Sequence, residues 1–147
     1  MRKNNQYDER QLYIRGKAFQ YAWTAFIIEI VVLKLLQSFE MLSVEPLGEM
    51  CILISIPALI LMPMLIFKDA SDPINGRPGC ISFTLLSVSG ICMIISKILE
   101  GAVFFSEKHI TDEGGMLILY LTIFVITILY WAALLTERKK EKLENIH

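Results

Sequence analysis

Residues 18–36 read AFQYAWTAFIIEIVVLKLL, an apolar run interrupted inside by only two charges, Glu29 and Lys34. An α-helix rises about 1.5 Å per residue and a bilayer's hydrocarbon core is about 30 Å deep, so this run is long enough for one crossing. Residues 51–67, 81–99 and 116–135 repeat the pattern, and apart from Lys97 the remaining charges fall outside these runs. Of 147 residues, 54% are hydrophobic, above the share of a soluble domain. The expected fold is therefore all-α, a transmembrane four-helix bundle running up-down-up-down. Residues 1–17 and 136–147 are too short to bury a core of their own, so 1–147 is expected to be a single integral membrane domain without a catalytic head. A long charged arm precedes the first run and no small-residue cleavage pattern follows it, so it reads as a retained span.

Charge placement sets the expected orientation. Arg2, Lys3, Arg10, Arg15 and Lys17 precede the first run, Lys68 and Arg77 lie between the second and third, and Arg138, Lys139, Lys140 and Lys142 follow the fourth. The other side carries Lys108 in a loop and Lys34 and Lys97 near span ends, with Glu40, Glu45, Glu49, Glu100, Glu107, Asp112 and Glu113. Positive-inside bias places both termini in the cytoplasm, and the net charge of −1 conceals this separation. The turn-forming run 69–79 (DASDPINGRPG) is expected to connect spans two and three on that side. Residues 44–48 (VEPLG) and 112–115 (DEGG) break the chain on the other, the latter setting acids at a helix N-terminus where the macrodipole favours them. Tyr21, Trp23, Tyr130 and Trp131 fit an interfacial aromatic belt.

Three intramembrane features are candidates for function. Glu29 lies about 16 Å into span one, where an ionised carboxylate costs several kcal/mol unless paired. It could bind a proton or a cation, or it faces the bundle and bonds a serine or lysine from another span. Lys34 and Lys97 share a depth; with Glu40 and Glu100 they would line an outer charged vestibule, or they snorkel to the headgroups. Lys34 lies about 140° around the helix from Glu29, whereas Lys97 could lean toward Glu29 from a neighbouring span. Ser82, Ser89 and Ser96 recur every seven residues in span three, with Ser87 and Gly90 close by, and are read as its packing face or a hydroxyl-lined path. Pro57 and Pro63 are expected to kink span two.

Cys51, Cys80 and Cys92 differ in expected depth and read as free, buried thiols, and His109 as a solvated loop residue. No metal-ligand spacing, phosphate loop or nucleophile motif is present, so neither enzymatic activity nor a cofactor is expected.

Residues 8–12 (DERQL) and 14–19 (IRGKAF), running directly into span one, resemble a group of small multi-pass membrane proteins of low-GC Gram-positive bacteria. The resemblance covers about twelve residues and the span layout. It implies a protein of the bacterial cytoplasmic membrane, often encoded beside a small helix-turn-helix regulator. Asp8, Glu9 and Arg10, with Arg15, are then candidates for docking such a partner, while Arg15 and Lys17 are placed to meet anionic headgroups. The expected function is a regulatory or accessory membrane protein whose charged arm and tail engage a soluble transcription regulator, without direct nucleic-acid binding. The alternatives are a proton-coupled exporter and an immunity protein against a membrane-active peptide. A carboxylate in span one and a lysine near its outer end look like the small multidrug-resistance family, in which Glu29 would be the shared site of a homodimer. Homodimerisation through the span-three serines, or a second membrane subunit, is the remaining partner expectation beside the bilayer itself.

Overall fold

The computed structural model describes residues 9–67 and 76–144. Helix α1 spans Glu9–Ser38, strand β1 Ser43–Val44, α2 Pro46–Phe67, α3 Gly76–Leu99, β2 Phe105–Ser106, β3 His109–Ile110 and α4 Asp112–Glu144. Each of the four helices is long and apolar enough to cross a membrane, and together they form the all-α bundle. The interior is the reverse of a soluble core. Large side chains such as Trp23, Ile28, Leu85 and Leu99 point outward, while Ala18, Ala22, Gly48, Ser55, Ser87 and Gly90 are buried. Lipid is as apolar as leucine, so contact between helices is driven by close backbone approach and not by hiding large side chains.

The helices pack in the order α1, α2, α4, α3: α2 lies most extensively on α4, α1 on α2 and α3 on α4. The central pair is therefore parallel. Its close approach is made by glycines, since a Cβ on Gly115 would fall on the Gly48 backbone; Gly114 beside it makes room instead for the Phe104 carbonyl of the segment between α3 and β2. The α3–α4 register is antiparallel and constant along its length. Thr127 Oγ1 donates to the Phe83 carbonyl (3.1 Å), the Tyr120 ring occupies the space a side chain at Gly90 would need, and Lys97 reaches Glu113 (3.8 Å). Trp131 Nε1 donates to Thr84 Oγ1 (3.0 Å) and Tyr130 stacks on Phe83 (centroids 5.4 Å), so these two aromatics join α3 to α4.

This register corrects the reading of span three. Its buried face runs through Cys80, Ser87 and Gly90, with Phe83, Thr84, Ile94 and Lys97 half-buried, whereas Ser82, Ser89 and Ser96 are exposed. Two residues along a helix is about 200° around it, so the seven-residue serine row lies nearly opposite the seven-residue row that packs. Spacing alone fits either face; the tight fit of Gly90 to Tyr120 selects one. Cys92 is likewise exposed, while Cys51 and Cys80 are buried, and all three are free. Pro57 and Pro63 both lie inside the continuous helix α2.

A three-stranded sheet of order β1-β3-β2 closes one end. β1 pairs parallel to β3 through Ser43 with His109 and Val44 with Ile110, and β2 returns antiparallel on β3. Both helices that enter this end finish in the same motif. Ala102 N bonds Lys97 O and Gly101 N bonds Ile98 O after α3; Met41 N bonds Leu36 O and Glu40 N bonds Gln37 O after α1. Such a cap needs a left-handed residue. Gly101 supplies it at φ 76°, but after α1 the position is Glu40 at φ 54°. A side chain there costs about 1–2 kcal/mol. Glu40→Gly is accordingly expected to stabilise the bundle by about 1 kcal/mol, read as a higher melting midpoint in detergent; an unchanged or lower midpoint would contradict the cap.

Candidate functional site

Four of the five buried polar residues among the described residues gather at one depth. Lys34 Nζ meets Glu49 Oε1 at 2.6 Å and Gln37 Nε2 meets Glu49 Oε2 at 3.2 Å, which sets the level of α1 against the antiparallel α2. Glu29 lies about 7.5 Å further in than Lys34, and Ser55 about 9 Å further in than Glu49, so the two are level. From the Gly48–Gly115 contact of the parallel pair, two turns inward leads to Ser55 on α2 and Thr122 on α4. From the Gly90–Tyr120 contact, less than one turn inward leads to Ser87 on α3 and Thr122. Each helix thus contributes one buried polar side chain to a single layer, Glu29, Ser55, Thr122 and Ser87, and Thr127 is the only other polar residue buried among the described residues.

Within that layer Glu29 is distinct. It is 8% exposed, and its two carboxylate oxygens are the only buried side-chain polar atoms among the described residues without a hydrogen-bond partner. The bond to a serine or lysine anticipated from sequence is not made. Ser55 Oγ donates to its own helix at Cys51 O (2.7 Å). Lys97 is held by Glu100 (3.3 Å) and Glu113 (3.8 Å), and Lys34 by Glu49 and by Gln37 Oε1 (3.1 Å). The outer lysines therefore form two separate ion-paired clusters, one on α1–α2 and one on α3–α4. Glu40 pairs with neither; it lines an open depression with Gln37, Leu42, Ser43, Glu49 and Lys108. Ser89 is exposed and its Oγ donates to Leu86 O (2.9 Å), so it lies outside the polar layer.

Sequence reasoning missed the clasp that aligns α2 with α4. The Asp112 amide donates to Glu45 Oε2 (2.7 Å) and the Gly48 amide to Asp112 Oδ1 (2.9 Å), so an acid at the start of each helix caps the other. Unpaired amides at a helix N-terminus favour such acceptors. His109 is half-buried beside Glu45 (Nε2 to Oε1 3.2 Å) and not a solvated loop residue. The Asp112 amide first, and the His109 ring second, hold the Glu45 carboxyl below the ordinary carboxylate range. The signal for this clasp was present as an acid two or three residues before a buried glycine at both helix starts.

At the opposite end, Glu9 and Arg10 are exposed on the first turn of α1 and Arg15 is half-buried on its second. Lys17 Nζ stands 4.8 Å from the centroid of the Tyr13 ring. Asp8 and most of the connector 69–79 lie outside the described residues. Among the described residues no group of three or more His, Cys, Asp or Glu side chains could hold a metal ion. No protein family, curated protein or solved structure matches the chain.

Proposed function

We propose that this chain is a non-enzymatic, regulatory or accessory protein of a bacterial cytoplasmic membrane that offers the charged ends of α1 and α4 to a soluble partner. The observation that carries this reading is helix length. α1 has 30 residues and α4 has 33, about 45 and 50 Å, against a hydrocarbon core of about 30 Å. The excess of both falls at the end away from the sheet, where the sequence carries Glu9, Arg10, Arg15 and Lys17 on α1 and Glu137, Arg138, Lys139 and Lys140 on α4. A partner docking there would meet the charges that the sequence places on both helices. A helix-turn-helix transcription regulator is the partner the arm's resemblance suggests.

The buried Glu29 favours a second reading, proton-coupled export. That reading is the weaker because the cavities at the sheet end are lined by other residues, and the Glu29 oxygens are closed off within the bundle. The docking proposal is tested by recovering tagged protein from gently solubilised membranes. A soluble regulator is expected with the parent and is expected to be lost with the double variant Glu9→Lys, Arg10→Glu, while the bundle stays in the membrane. Recovery of the chain alone from both would refute it.

A further inference from the structure

We propose that Glu29 is a proton-binding site that holds α1 against α2, carrying its proton while the two helices are packed and releasing it to water when α1 moves away. The argument starts from what the carboxyl lacks. Both of its oxygens are buried with no donor in reach, and an unpaired carboxylate in such surroundings is unfavourable by several kcal/mol. Three remedies exist: a basic side chain, a metal cation or a proton.

A basic side chain is excluded by geometry. Lys34 is engaged with Glu49 and lies on another side of α1, and Lys97 is engaged on α3, which α2 and α4 separate from α1 in the packing order. A metal cation needs several oxygen ligands around it. The nearest hydroxyl by register, Ser55, would add one oxygen at most, and no acid, histidine or cysteine cluster of metal-binding size exists among the described residues. A proton needs one oxygen and leaves the group neutral.

The other groups on the elements packed against α1 agree with this. α1 rests on α2 and touches β1. α2 offers Glu49, already paired with Lys34, and the free thiol Cys51; β1, Ser43–Val44, offers no titratable group. No opposite charge on α2 or β1 is therefore available to balance a carboxylate at Glu29. α1 is also held mainly by one neighbour, so a change in its affinity for α2 moves the helix that begins with Glu9 and Arg10. This coupling to the arm rests on the docking reading above, whereas the proton site itself does not.

The sign of the pH dependence follows. A carboxyl that is neutral in the packed state and charged when exposed contributes stability at low pH, and that contribution is lost as pH rises through the folded-state value. The full chain in phosphatidylcholine vesicles is to be followed by infrared difference spectroscopy and by its melting midpoint across neutral to alkaline pH. The parent is expected to show a protonated-carboxyl C=O band at neutral pH that Glu29→Gln removes, and a midpoint that falls with rising pH where that of Glu29→Gln stays level. If Glu29→Gln does not fold, Glu29→Asp is expected to displace the band. The same carboxyl spectrum in parent and variant would overturn the proposal. Neither readout depends on whether the arm captures a partner.

Discussion

Gly115→Leu is expected to abolish the folded bundle. A Cβ at this position would collide with the Cα, carbonyl carbon and oxygen of Gly48, all backbone atoms of a helix that cannot move aside alone. α2 and α4 would have to separate, and their contact is the most extensive between helices among the described residues. Overpacking of a close contact costs about 1–3 kcal/mol, and leaving the Gly48 amide without the Asp112 carboxylate adds about 1–3 more. The parallel pairing of β1 with β3 and the Glu45 cap on α4 depend on the same alignment. The two terms together come to about 2–6 kcal/mol, before the loss of that pairing and cap, against about 5–15 kcal/mol for the whole stability of a typical domain. The measurement is the yield of monodisperse protein after detergent extraction and its melting midpoint, with Gly115→Ala intermediate. Gly16→Ala is the control, since nothing lies within 4 Å of a side chain there and alanine favours a helix by about 1 kcal/mol. Parent-like behaviour of Gly115→Leu would show that α2 and α4 do not meet at these glycines.

The four crossings were legible because a membrane demands a property that any window of sequence displays, namely some twenty apolar residues in a row. The ends of the helices were less so. α1 begins at Glu9 and α4 runs to Glu144, well beyond the apolar runs, because backbone hydrogen bonding continues wherever the residues permit a helix, whatever their polarity. Glu29 stood out as an acid in an apolar run, and its burial on the Ala18, Ala22, Leu33 face of α1 follows from helical spacing. Its lack of a partner did not follow, since that depends on where Ser55 turns its hydroxyl. Helix order was hidden because it is decided by Gly48 and Gly115, far apart in sequence and each unremarkable alone. The span-three serines misled for the converse reason. Their regular spacing is conspicuous, but packing is selected by what the neighbour presents, and Tyr120 presents its ring to Gly90.

The largest all-or-none effect concerns the sides of the membrane on which the two ends of the bundle lie. Moving a lysine or arginine into the bilayer centre costs about 2.5–3.5 kcal/mol on insertion scales, and basic residues near span ends bias a chain to keep them in the cytoplasm. Arg10, Arg15 and Lys17 precede the α1 crossing and Arg138, Lys139 and Lys140 follow the α4 crossing, whereas Lys108 lies in the β2–β3 turn at the sheet end. With four helices alternating in direction, the start of α1 and the end of α4 share one side and Glu107 lies on the other. Single cysteines at Glu9, Glu107 and Lys140, introduced after replacing Cys51, Cys80 and Cys92 by alanine, report this through a membrane-impermeant maleimide. In intact spheroplasts Glu107→Cys is expected to label fully and the other two not at all, with the pattern reversed in inverted vesicles. Labelling of the Glu9 and Lys140 positions from opposite sides, or of all three from one, would contradict a chain that crosses the membrane four times with both ends in the cytoplasm.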